Sequence, residues 1–140
     1  MTEAQSGFPR RDAEGRILTV TDLLGLTLAG LVIGVLALVV FDGGFSLLGL
    51  GDFGRATGWL AVILPAWIFV EEFRAWGTGP ARIVVALVGV AVSGTLGLLI
   101  AGILNGLGPL WSGAAAATAF ALAYALVWFY GIRWLAQRTG

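Results

Sequence analysis

With 140 residues, 59% hydrophobic and 11% charged, the chain is far more apolar than an ordinary soluble domain, where about 45–50% and about 25% are usual. A soluble fold of this size is mostly surface and could not hide so much apolar side chain, so lipid must cover the remainder of what the length makes a single domain. The formal net charge is zero and His, Cys and Lys are all absent. That excludes thiolate or imidazole metal sites, a haem on His or Cys, a lysine Schiff base, and any Ser-His-Asp or Cys-His nucleophile.

No catalytic, cofactor-binding or metal-ligating residue is therefore assigned, no cofactor is implied, and the chain reads as non-enzymatic. Without a basic run there is also nothing to hold a nucleic acid. Residues 1–20 carry Arg10, Arg11, Asp12, Glu14 and Arg16, which interrupt any apolar signal segment. They are expected to remain as a polar cytoplasmic tail, mobile up to about Gly15.

The first apolar run, residues 23–41, is free of charge and reaches roughly 29 Å as a helix, close to the hydrocarbon thickness. Thr21 or Asp22 is the expected N-cap. Residues 42–54 (DGGFSLLGLGDFG) are apolar, rich in glycine and too short to span, which suits a loop or short helix at the outer interface. Asp42, Asp52 and Arg55 there read as solvated loop charges.

The second span, about 56–76, is the least regular. Its uncharged part, 56–70, contains Pro65 and runs into Glu71, Glu72 and Arg74. Fifteen residues reach only about 22 Å, short of a hydrocarbon core of about 30 Å. The helix is therefore expected to continue to about Trp76, kinked at Pro65, with Glu71 or Glu72 turned toward Arg74, Arg82 or Arg133. Two cleaner spans follow: 83–104, between Arg82 and Asn105, and 110–132, between Pro109 and Arg133. A short cytoplasmic tail, 137–140, ends the chain.

Arginine placement decides whether the second run crosses. If it does, Arg10, Arg11, Arg16, Arg74, Arg82, Arg133 and Arg138 share one side and Arg55 alone faces the other. If it does not, the three arginines of the tail oppose the other five. The positive-inside rule selects four spans with both termini cytoplasmic. Aromatic belts agree: Trp59 and Trp111 fall at the outer edge, and Trp76, Trp128, Tyr130 and Trp134 toward the inner one. Trp67 falls mid-membrane, where packing is the simplest account.

Small residues recur at helix-packing spacing: Gly30 and Gly34; Gly89, Ser93, Gly97 and Ala101; and Gly113, Ala117, Ala121 and Ala125, with Ala115, Ala119 and Ala123 beside them. Lacking bulk, such ridges let backbones approach closely. Packing within the chain's own bundle explains three ridges better than an oligomer interface does. Ser93, Thr95, Thr118, Asn105 and Tyr124 are polar groups expected to bond a neighbouring helix or their own backbone. A faint echo of Gly49-Leu50-Gly51 in Gly106-Leu107-Gly108 fits a plan of two helical hairpins.

The sequence thus implies an all-α membrane protein, a four-transmembrane-helix bundle in the cell membrane. Its expected role is that of an accessory or scaffolding subunit whose partners are the lipid bilayer and either another copy or a larger membrane complex. The alternative is a small oligomeric transporter or channel with Glu71 and Glu72 at its cytoplasmic mouth. Outside the second span, the apolar runs hold no ionisable group except Tyr124 and Tyr130, whereas ion-coupled carriers usually embed a carboxylate.

Overall fold

The computed structural model describes residues 10–77 and 79–139, and their architecture is all-helical. Helix α1 is Val20–Leu47, a 3-10 turn covers Gly58–Val62, and α2 follows it directly as Ile63–Ala75. Helix α3 is Pro80–Ile103, a second 3-10 turn covers Asn105–Leu107, and α4 is Pro109–Thr139. Three of the four helices, α1, α3 and α4, are long and apolar enough to cross a membrane. One end of the bundle gathers the start of α1, the α2–α3 connection and the end of α4; we call it the tail end. The opposite, loop end holds residues 48–57 and 104–108.

Helix α1 begins earlier and runs further than the apolar run alone indicates. Its N-cap is Thr19, whose hydroxyl accepts from the Asp22 N–H at 3.2 Å, so neither Thr21 nor Asp22 is the cap. An oxygen two or three residues ahead of an orphan N–H is what caps a helix, and Thr19 supplies it one turn ahead of the apolar run. At the other end Asp42, Gly43 and Gly44 stay helical, and the chain turns only at Gly49 and Gly51, whose positive φ of 76° and 155° suits glycine. Asp42 is not a free loop charge, because its carboxylate accepts from the Gly54 N–H. Asp52 and Arg55 make an exposed pair at 3.8 Å. The two Gly-Leu-Gly segments adopt different structures: Gly49 and Gly51 form a turn, whereas Gly106 and Leu107 lie in the second 3-10 turn.

Gly58–Val62 and α2 form one continuous stretch. Five residues at about 2.0 Å and thirteen at about 1.5 Å reach roughly 30 Å, so the 3-10 turn supplies length that an α-helix of the same residues would lack. Pro65 is the third α-helical residue and is buried. Its missing N–H falls in the first turn, where helical donors have the fewest partners, so the irregularity lies at the 3-10 to α junction rather than in a mid-helix kink. The α-helix ends at Ala75, with Trp76 as its C-cap.

Helix α4 is central, packing on α1, the Gly58–Val62 turn, α2 and α3, while α3 packs mainly on α4. Glycines set the spacing. A Cβ added to Gly58 would overlap both the Ala114 nitrogen and the Leu110 oxygen, so the turn crosses α4 backbone on backbone at Gly113. On the other side, a Cβ on Gly34 would meet Ala61 at 3.0 Å, and one on Gly30 would meet Leu64 and Pro65 at 3.3 Å. On α3 the buried positions are Val85, Gly89, Ser93 and Gly97, a single stripe. Gly89 faces the Tyr124 ring, and Gly97 the Trp59 ring and Ala116. Ala117, Ala121 and Ala125 are fully buried on α4, and Ala101 is half-buried.

Ser93 and Trp67 depart from expectation. Thr95 and Thr118 do donate to carbonyls one turn back at 2.8 Å, but the buried Ser93 hydroxyl has no hydrogen-bond partner. Trp67 is 68% exposed rather than packed, since the inner face of α2 is the one bearing Pro65, Phe69 and Glu72.

These contacts order the cost of added volume. Gly58→Ala and Gly97→Leu should each destabilise the fold by about 1–3 kcal/mol or more, the range for overpacking. Val90→Leu, at a side chain 51% exposed, should stay within about 0.5 kcal/mol. Thermal unfolding in mild detergent reads the difference; equal stability of Gly97→Leu and Val90→Leu would contradict the packing.

Candidate functional site: a buried carboxyl under the N-terminal hairpin

The part of the tail that the structure describes is folded, not free. Asp12 Oδ1 accepts from the N–H groups of Glu14 at 3.0 Å and Arg16 at 2.9 Å, a local turn typical of Asp. Gly15 takes φ 88°. The chain then doubles back: Arg11 and Ile17 form an antiparallel bridge, and the Leu18 N–H donates to the Arg10 carbonyl at 2.9 Å. The hairpin is fastened to α1 by Arg10, whose N–H and Nε both donate to Asp22 Oδ2 at 3.0 Å. It is fastened to α2 by Arg16, whose Nε donates to the Ala75 carbonyl at 3.2 Å and whose guanidinium lies 3.9 Å over the Trp76 ring.

This placement drives Ile17 into the tail end of the bundle, where it is fully buried. Its N–H donates to Glu72 Oε1 at 2.7 Å, and its carbonyl accepts from Arg133 Nη2. Glu72 is itself fully buried. Its second oxygen, Oε2, faces the Trp128 indole N–H at 3.4 Å, a long hydrogen bond. One residue of the hairpin thus links the carboxyl of α2 to the guanidinium of α4 through its own peptide groups.

Trp128 is positioned by an aromatic file on α4. Phe120 stacks on Tyr124 and Tyr124 on Trp128, at 6.2 and 6.4 Å between centroids, following the four-residue repeat of the helix. Phe69 and Phe73 of α2 meet Tyr124 and Trp128 at 4.5 and 6.1 Å, while Trp59 of the 3-10 turn meets Phe120 at 6.3 Å. The indole is a core group, 1% exposed, rather than part of an interfacial belt.

The expected arrangement of Glu71, Glu72 and Arg74 changes accordingly. Glu71 and Arg74 are exposed, and Glu72 alone points inward. Successive helical side chains diverge by about 100°, so the two carboxylates cannot share an environment. The ion pairs among the described residues are Arg10–Asp22 and Arg55–Asp52. Glu72 has no arginine within 4.0 Å; a backbone N–H and an indole each donate to one of its oxygens instead. Arg82 instead donates to the Phe73 carbonyl at 3.2 Å.

Chemically, the site offers one enclosed carboxyl group. Among the described residues no group of three His, Cys, Asp or Glu side chains could hold a metal ion. A groove of ≈ 560 Å³ opens at this end, lined by Arg16, Trp76, Arg82 and Arg133, among others, but Glu72 is not in its wall. Sequence reasoning missed Ile17 and Trp128. The available signal was an isolated apolar run, Ile17-Leu18, inside a charged tail. No protein family, no curated protein and no solved structure matches the chain.

Removing the acceptor should release the hairpin. Glu72→Ala leaves the Ile17 N–H buried without a partner, a cost of about 1–3 kcal/mol. Glu72→Gln keeps an oxygen for Ile17 but turns an amide N–H toward the indole donor, so its loss should be smaller. Trypsin cleavage after Arg16 should be slow in the parent and fastest in Glu72→Ala. Equal cleavage in all three would show that the carboxyl does not hold the hairpin.

Proposed function

We propose that the chain is a multi-pass protein of the cell membrane, with both termini cytoplasmic, that acts without catalysis as an accessory or scaffolding subunit. The alternating course of α1, the Gly58–Ala75 stretch, α3 and α4 supports four crossings, and the arginine count supports their orientation. Exposed side chains such as Leu36, Val40, Leu87 and Leu98 form the kind of exterior that lipid or a partner's helix covers.

The observation that carries the reading is the enclosure of Glu72. A conducting carboxylate must meet its ion from one side and release it to the other, whereas this group is hydrogen-bonded on both oxygens and roofed by Ile17. One observation favours the transporter alternative: a carboxyl inside a membrane segment is a common element of proton relays, and the hairpin above it would then be a plug.

Reconstituted liposomes and purification from native membranes separate the two. The accessory reading expects proton flux no faster than in protein-free liposomes and a stoichiometric partner or second copy retained in mild detergent. Flux that disappears in Glu72→Gln would establish the alternative, and a strictly monomeric particle without a partner would remove the scaffolding role.

A further inference from the structure

The groove at the tail end is built from three separate parts of the chain: the hairpin supplies Arg16, the start of α3 supplies Arg82, and the end of α4 supplies Arg133. None of these guanidiniums has a carboxylate within 4.0 Å among the described residues; Arg10 and Arg55 have one, and Arg11, Arg74 and Arg138 also have none. Arg133 feels the carboxylates of Glu72 and Asp12 from beyond that distance as well as the charge of Arg16, so the mutual repulsion of the three guanidiniums is only partly offset within the chain. Their remaining donors are unevenly used. Arg82 spends Nη1 on the Phe73 carbonyl, and its Nε is buried with no partner. Arg133 already spends Nη1 on the Phe129 carbonyl and Nη2 on the Ile17 carbonyl, whereas Arg16 spends Nε on the Ala75 carbonyl and keeps its terminal nitrogens.

The same recess receives the N-terminus of α3. Gly79 provides no side-chain cap and Pro80 has no N–H, so the orphan donors of this 24-residue helix are the backbone N–H groups of Ala81 and Arg82. The positive end of the helix dipole adds to the arginines there. Trp76 organises the walls, with Arg16 at 3.9 Å and Arg133 at 5.1 Å over its ring. Its own buried indole N–H has no partner. A planar carboxylate is satisfied by one guanidinium fork, whereas three guanidiniums around a helix N-terminus suit the several oxygens of a tetrahedral phosphate.

We propose that this groove binds a phosphate group, that of an anionic phospholipid whose headgroup sits between the start of α3 and the end of α4. The phosphate chemistry follows from the donors alone. The lipid as its source rests on the membrane reading, since the groove lies at the end of long apolar helices, where basic recesses collect anionic headgroups.

Native mass spectrometry of the full chain in neutral detergent, with phosphatidylglycerol or phosphatidylcholine added, tests it, alongside calorimetric titration with inorganic phosphate. One phosphatidylglycerol per chain should be retained in preference to phosphatidylcholine. Arg82→Gln should weaken that retention about tenfold or more, the loss of one charge-assisted hydrogen bond. Ala136→Phe, which fills the groove without altering any charge, should weaken it as well, while Arg138→Gln, outside the groove, should not. Binding of inorganic phosphate alone, lost in Arg82→Gln, would keep the site and assign it a soluble ligand. Absence of binding by either probe, or binding that both groove variants leave unchanged, would overturn the proposal.

Discussion

A carboxyl group removed from water must find donors in the protein, and at Glu72 they come from residues 55 and 56 positions away. The Ile17 N–H and the Trp128 indole are brought to it by the hairpin and by α4, so three distant parts of the chain must be in place at once. This makes the tail end specific rather than merely apolar. Helices that share only greasy surfaces can slide or rotate in lipid, where burying one more leucine gains little. A buried acceptor with two required donors fixes the register of α2 against α4 and holds the hairpin in place.

At the loop end the same task falls to backbone proximity. Gly58 and Gly113 meet with no room for a side chain, and Gly34 rests on Ala61, so the 3-10 turn is clamped between α1 and α4. The second segment is therefore anchored differently at its two ends, by close packing where it starts and by hydrogen bonding where it stops. Between them runs the aromatic file of Phe120, Tyr124 and Trp128, its rings stacked at the helical repeat. The arginines left over by this scheme, Arg16, Arg82 and Arg133, are held by carbonyls and rings rather than by carboxylates, which concentrates positive charge in one recess.

How much of this could be read in advance depends on the range of the interaction. Run length and composition carry the all-helical class and the long apolar helices, because those are properties of consecutive residues. The four-residue spacing of Gly89, Ser93 and Gly97 identifies a ridge, but not that it would face Tyr124 and Trp59. Glu72 stands out as a charge beside a short span, yet its donors are invisible: one is a backbone N–H in a segment whose charges read as a solvated tail, and the other is a tryptophan whose position read as interfacial. Charge counting favours an arginine as the partner of a buried carboxyl, and it has no means of weighing a peptide group supplied by a hairpin. Thr19 was missed for a simpler reason, since the helix begins before its apolar run does.

Glu72 can organise the tail end only if the hairpin is part of the fold. Hydrogen–deuterium exchange of the full chain in mild detergent, resolved over residues 10–18, measures this directly. Protection of the Ile17 and Leu18 amides comparable to that in the middle of α4 is the expected result. Exchange of these amides at the rate of an unstructured peptide, with the helices still protected, would contradict it.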